Sequence, residues 1–134
     1  MTPFPLKIVT PDGLIFDSQA EELVVRSTSG DLGILAGHIN CVAPLGMGRA
    51  TVMIEGKRRY AACIGGMVIV VNGNVTLVPT TFEWADSIDA ARAEASQQRA
   101  ESILQNKNAS ETELRLAQAR LHRALVRKNV ASFK

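Results

Sequence analysis

The sequence predicts a β + α protein: an N-terminal antiparallel β-sandwich of about ten short strands over residues 1–84, then a C-terminal two-helix antiparallel hairpin over residues 85–134. Three observations predict it. All ten Gly and all five Pro lie at or before Pro79. Turn chemistry recurs through that region at the roughly 8–12-residue intervals of an all-β sandwich or flattened barrel. After Asp86 the chain becomes rich in Ala and Arg and holds no helix breaker.

The strands follow in order. Residues 6–10 are short and mostly apolar, and Pro11-Asp12-Gly13 supplies a turn. Residues 14–17 and 21–27 are the next strands, the second built on Leu23, Val24 and Val25. Residues 27–30 form a loop. Residues 32–35 form a short or bulged edge strand, because Gly33 interrupts the apolar run. After a turn at 37–40 come strands at 41–44 and 48–54. Glu55-Gly56 turns the chain into 57–63. Gly65-Gly66 leads to 67–71, and Asn72-Gly73-Asn74 returns the chain into 75–79. An Asn-Gly turn between two apolar runs is a hairpin signature. Residues 80–84 add a last strand.

The period then changes. Asp86 or Ser87 is the expected N-cap of a first helix, with Asp89 placing negative charge in its first turn. Ala90, Ala91, Ala93, Ala95 and Ala100 carry that helix to about Gln105. Ser110 and Glu113 form a capping box that opens a second helix. Leu114, Ala117, Leu121, Ala124 and Leu125 recur at helical spacing along it, to about Val130. The apolar faces are narrow and rich in Ala, so the hairpin buries few large side chains and is expected to be a weakly held, mobile part.

Composition bounds the function. The chain has 134 residues, 46% hydrophobic and 21% charged, within ordinary globular usage. Residues 1–84 hold six Lys/Arg against seven Asp/Glu, and residues 85–134 hold nine against six. The second half is therefore modestly basic, which suits an acidic partner or a phosphate ligand. Cys41 and Cys63 form no CxxC pair and fit reduced, partly buried thiols, with a disulfide left open. His38 and Cys41 alone do not make a zinc site, which needs three or four ligands. No apolar run approaches the roughly 20 residues that span a bilayer, and the N-terminus has no signal-peptide pattern. A soluble chain with no membrane insertion of its own is expected. Neither a lysine-bearing Gly-rich phosphate loop nor a nucleophile–base pattern is visible, so catalysis is not expected and no catalytic residue is assigned.

At this point the residues resemble a family. Ser29-Gly30-Asp31-Leu32-Gly33-Ile34-Leu35-Ala36-Gly37-His38 resembles the loop signature of the epsilon subunit of bacterial F-type ATP synthases. Gly65-Gly66, the Asn72–Thr76 turn and Ile88-Asp89-Ala90-Ala91-Arg92-Ala93 match its other markers, and the likeness covers the whole chain. Ala36 and Asn40 stand where the family usually has proline. The resemblance implies a sandwich-plus-hairpin subunit of the rotary central stalk, coupling proton flow to ATP synthesis. It implies binding to the gamma subunit and the c-ring, with contacts at Ser29, Gly30, Asp31, Leu32 and His38, at the cytoplasmic face of the membrane. It also implies a hairpin that inhibits ATP hydrolysis when it extends toward the catalytic alpha and beta subunits.

The Ile88–Ala93 motif resembles a regulatory ATP-binding motif of some epsilon subunits. Arg92 and Arg99 are two turns apart on one helix face, and Arg123 and Arg127 one turn apart on the other helix. With those faces together, four guanidinium groups converge on one region and a triphosphate, with or without Mg²⁺, would neutralise them. The resemblance assigns Glu83 and Asp89 to the adenine or ribose end, with Ile88 and Ala93 packing on the base. The plainer reading is an Asp89–Arg92 pair within one helix beside solvated arginines. The basic tail of Arg120, Arg123, Arg127, Lys128 and Lys134 suits acidic residues on the beta subunit, or simple solubilisation. The alternative function is a basic-helix nucleic-acid-binding module. It is disfavoured because the helical half has only Phe133 for stacking beyond the junction residue Trp84, and because net charge is +2.

Overall fold

The computed structural model describes residues 1–133, and Lys134 of the basic tail lies outside them. The chain divides into two compact units, the first Met1–Trp84 and the second beginning at Ala85.

The first unit contains ten strands: β1 (Phe4–Thr10), β2 (Gly13–Ala20), β3 (Glu22–Ser27), β4 (Gly30–Ile34), β5 (Cys41–Pro44), β6 (Met47–Ile54), β7 (Lys57–Ile64), β8 (Met67–Val71), β9 (Asn74–Val78) and β10 (Thr81–Trp84). They form two five-stranded sheets, ordered β2-β1-β9-β8-β5 and β10-β7-β6-β3-β4. Strict alternation makes this possible. In β1, Phe4, Leu6, Ile8 and Thr10 point inward, while Pro5 and Lys7 point out. Leu6, Ile8, Leu23, Val25, Ile34, Val52, Val68, Val70 and Leu77 fill the space between the sheets.

Every hydrogen-bonded strand pair is antiparallel except β1 with β9, which run parallel with Leu6 opposite Val75. This modifies the all-antiparallel expectation. Two strands so distant in sequence share no tight turn, so nothing forces them to run in opposite directions. The Asn72-Gly73 hairpin forms as read, with φ of 49° and 81° at its two turn residues. Gly66 has a second reason to be glycine besides its φ of 87°: a Cβ there would sit 1.9 Å from the Val78 carbonyl oxygen. Trp84, on the edge strand β10, meets Phe16 of the other sheet's edge strand β2 and Phe82 edge-on. The Arg59 guanidinium stacks 3.8 Å from the Trp84 ring centroid.

The second unit holds a 3-10 turn at Ala85–Ser87 and two helices, α1 (Ala90–Leu104) and α2 (Glu111–Ala131). The N-cap of α1 is Asp89, not Asp86 or Ser87: its Oδ1 accepts from the Arg92 amide at 3.0 Å. The 3-10 turn occupies Ala85–Ser87 and Ile88 is buried after it, so the α-helix can begin only beyond Ile88. The Ser110–Glu113 capping box forms as read from the sequence.

The two helices pack against each other. Their seam is Ala: Ala93 and Ala100 on α1, Ala117 and Ala124 on α2, all buried, with Ala131 buried at the end. Leu125, expected on the apolar face, is 44% exposed, about 100° around the helix from Ala124.

Candidate functional site

Two clusters emerge, one in each unit. The helical one rests on the Ala seam. Methyl side chains let two helix backbones approach closely, so the residues flanking the seam are brought near one another. Lys128 of α2 reaches across to α1, pairing with the Glu94 carboxylate and donating to Gln97 Oε1 at 2.8 Å. Glu94 also accepts from Gln98 at 3.3 Å. The Lys128 ammonium, by hydrogen bond and charge, holds the Glu94 carboxyl below its ordinary value of 4.5.

This clasp fixes both side and register. Successive residues turn by about 100° around an α-helix. Arg92 and Arg99 lie on one side of the Ala93–Ala100 line, and Glu94 and Gln97 lie on the other. On α2, Arg123 and Arg127 lie on one side of the Ala117–Ala124 line, with Lys128 on the other. Lys128 meets Glu94 and Gln97, so the four arginines share the opposite flank. Lys128 is level with the 94–97 turn in an antiparallel pair. That places Arg127 between Arg92 and Arg99 in height, and Arg123 about level with Arg99.

Arg92, Arg99 and Arg123 are exposed, and Arg127 is half-buried. Among the described residues, Arg92, Arg99 and Arg123 enter no ion pair. The Asp89 carboxylate is engaged by the Arg92 backbone amide, which is a capping contact rather than a side-chain pair. Ile88 is 3% exposed and Ala93 fully buried, so neither offers open surface to a base here. Glu83 belongs to the first unit. It lies half-buried on β10, opposite Ala62 of β7, which in turn is opposite Arg49 of β6.

The second cluster is the β3–β4 hairpin and the loop after it. Ser27 Oγ donates to the Gly30 carbonyl at 2.7 Å and accepts from the Ser29 amide at 3.2 Å, closing the turn. Gly30 sits at φ 123°, a conformation that favours glycine. Asp31 is exposed, with Arg26 Nε 3.4 Å from its Oδ1. Leu32 is half-buried against the sandwich core. His38 is half-buried, with Nδ1 2.8 Å from the Ile39 carbonyl oxygen and 4.0 Å from Cys41 Sγ. Asn40 accepts from the Asn72 amide at 2.8 Å and ties this loop to the β8–β9 turn.

Sequence reasoning missed the Lys128–Glu94–Gln97 clasp and the Arg26–Asp31 pair. Both partners of each are visible as charged residues, but only the helix and strand registers bring them together. The Ala repeat at sevenfold spacing was the available signal for the seam.

Two family models together match residues 3–132. Residues 3–85 match the "ATP synthase, Delta/Epsilon chain, beta-sandwich domain". Residues 86–132 match the "ATP synthase, Delta/Epsilon chain, long alpha-helix domain". The ATP synthase epsilon chain of Bacillus velezensis is 44% identical over 131 residues, 98% of both chains. That of Bacillus mycoides is 40% identical over 134 residues, the full length of both. In fold, the chain is similar to one in the Euglena gracilis mitochondrial ATP synthase OSCP/F1/c-ring structure, with a TM-score of 0.85 and 21% identity, covering 100% of this chain and 83% of that one. The full-length likeness at both levels shows that the chain belongs to the ATP synthase delta/epsilon family, as an epsilon chain.

Proposed function

We propose that this epsilon subunit, a non-catalytic chain of an F-type ATP synthase, works in the rotary central stalk at the cytoplasmic face of the membrane. Its sandwich binds the gamma subunit and the c-ring, with the Ser29–Leu32 turn and His38 in the contact. Its helical hairpin restrains ATP hydrolysis when it opens toward the catalytic subunits, and binds ATP, with Mg²⁺, when closed.

The observation that carries this reading is the arginine flank. Arg92, Arg99 and Arg123 enter no ion pair among the described residues and share one flank of the closed hairpin with Arg127, and a triphosphate offers guanidinium groups bidentate acceptor oxygens. The flank exists only while α1 and α2 are paired, so ATP favours the closed hairpin. A ligand selective for one state stabilises it by RT ln(1 + [L]/Kd), about 2.7 kcal/mol at a hundredfold excess over Kd. Asp89, held as the N-cap, then supplies an acceptor for the sugar end of the ligand. Ala93, in the seam, holds the start of α1 against α2, and Ile88 is buried just before that helix.

Calorimetry with MgATP on the isolated protein tests it. Arg92→Ala with Arg99→Ala, and separately Arg123→Ala with Arg127→Ala, should each abolish the heat. An absence of heat for the unmodified protein at millimolar ATP refutes the ATP site. Normal inhibition of the assembled enzyme by a chain truncated after residue 84 refutes the regulatory hairpin.

A further inference from the structure

Asn72-Gly73 is the one Asn-Gly pair in the sequence, and Asn72 is exposed at the tip of the β8–β9 hairpin. Glycine has no Cβ to shield its amide nitrogen, so attack by the Gly73 nitrogen on Asn72 Cγ is sterically open in the chain itself. The folded turn closes that route. Val71 stands opposite Asn74, leaving a two-residue loop with φ of 49° and 81°. Positive φ at both residues makes a type I′ turn, the mirror image of type I, in which ψ of the first residue is about +30°. At that ψ the Gly73 nitrogen is turned away from the Asn72 side chain. Closing a five-membered ring through N, C, Cα, Cβ and Cγ needs ψ of the opposite sign, with the nitrogen eclipsing Cβ. The turn also has a tie outside its own strands. The N–H of the first turn residue has no partner across the ladder, and the Asn72 amide donates instead to Asn40 Oδ1 at 2.8 Å. Asn40 ends the loop that carries His38.

We propose that Asn72 is a self-modification site, an asparagine that deamidates through a cyclic imide with Gly73, and that the Asn40 tie gates it. When the hairpin tip opens, the Gly73 nitrogen bonds to Asn72 Cγ. The Cγ–Nδ2 bond breaks, and Nδ2 leaves as ammonia with the proton that the Gly73 nitrogen gives up. Water then adds to the imide. Breaking the new N–Cγ bond yields aspartate, and breaking the original N–C bond yields isoaspartate. Either product carries a negative charge that Asn72 lacks. Isoaspartate also routes the main chain through the former side chain and lengthens it by one carbon, which a two-residue turn cannot absorb. The Asn72 amide then leaves Asn40, and the loop at 37–40 loses its tether to β8 and β9.

The test ages the full-length chain in mildly alkaline buffer, folded and in urea. Peptide mass spectrometry with electron-transfer fragmentation then separates isoaspartate from aspartate. In urea Asn72 should convert well before Asn74, which is followed by the β-branched Val75, and in the folded chain it should convert far more slowly. Asn40→Ala should speed the folded-state conversion about twofold to tenfold, the worth of one hydrogen bond, and leave the other asparagines unchanged. Asn40→Asp, which keeps an acceptor, should stay near the parent rate. Amide exchange in the aged chain should quicken at 37–40 and at the hairpin tip, and not in β3 or β6. If Asn72 survives urea as long as Asn74, the site is overturned. If it converts as fast folded as unfolded, the turn does not gate it. If Asn40→Ala leaves the rate at Asn72 unchanged, or speeds every asparagine alike, the tie is not the gate. Unchanged exchange at 37–40 after full conversion overturns the coupling to the loop.

Discussion

Substituting Ala100→Leu tests whether the hairpin is a marginal element switched by its ligand. Ala100 is 1% exposed in the seam, level with Ala124, itself 2% exposed. A leucine there adds three carbons where the facing helix leaves no room. Overpacking of this kind costs about 1–3 kcal/mol. At about 2 kcal/mol the ratio of closed to open hairpin falls by roughly thirtyfold. Separating the helices also draws Lys128 away from Glu94 and Gln97, so the clasp cannot compensate. A ligand at a hundredfold excess over Kd returns about 2.7 kcal/mol, enough to close the variant again. The assay is amide hydrogen exchange, read separately for α2 and the sandwich strands, with and without MgATP. Protection in α2 should fall by up to about thirtyfold, the sandwich should be unaffected, and MgATP should restore most of the loss. The apparent affinity for ATP should weaken as the closed fraction falls. Unchanged or increased α2 protection would show that the seam yields and that the burial gain wins, refuting the reasoning.

Three other outcomes follow from the same geometry. Glu94 is held below its ordinary value of 4.5 by Lys128. Its contribution to the hairpin is therefore fully present above pH 4.5 and is lost as pH falls through the lower value it has in the clasp. Acid titration of α2 protection should show that loss, and Lys128→Met should remove it. Asp89→Ala should cost the α1 terminus about 1 kcal/mol, whereas Asp89→Asn, an equally good cap, should keep the helix, as read by the helical signal in thermal unfolding. Burial pushes the Cys63 thiol up to about 12. Alkylation of the native protein near pH 8 should therefore label half-buried Cys41 and spare Cys63, and mass spectrometry of the peptides will show which sulfur carries the adduct.

Much of this protein is determined locally. The concentration of Gly and Pro before residue 80, the Asn72-Gly73 turn and the Ser110–Glu113 box each act within a few residues. They mark strands, turns and helix ends wherever they occur, so the sandwich-plus-hairpin plan was legible from the chain alone. Helical periodicity alone also puts Arg92 with Arg99 on one face and Arg123 with Arg127 on one face. Tertiary structure decided what depends on register between distant segments. It ran β1 parallel to β9, since no turn joins them. It moved the α1 cap to Asp89, because Ala85–Ser87 wind as a 3-10 turn and Ile88 is buried beyond them. It turned Ala93 into part of a seam, left Leu125 in solvent, and set Lys128 on Glu94, which alone places the four arginines on a common flank. It also set the Asn40 side chain on the Asn72 amide, a contact between segments whose sequence separation gives no hint of it. Local rules name the residues that can act together. Which of them meet is a property of packing, where one buried methyl or one missing Cβ decides how close two elements come.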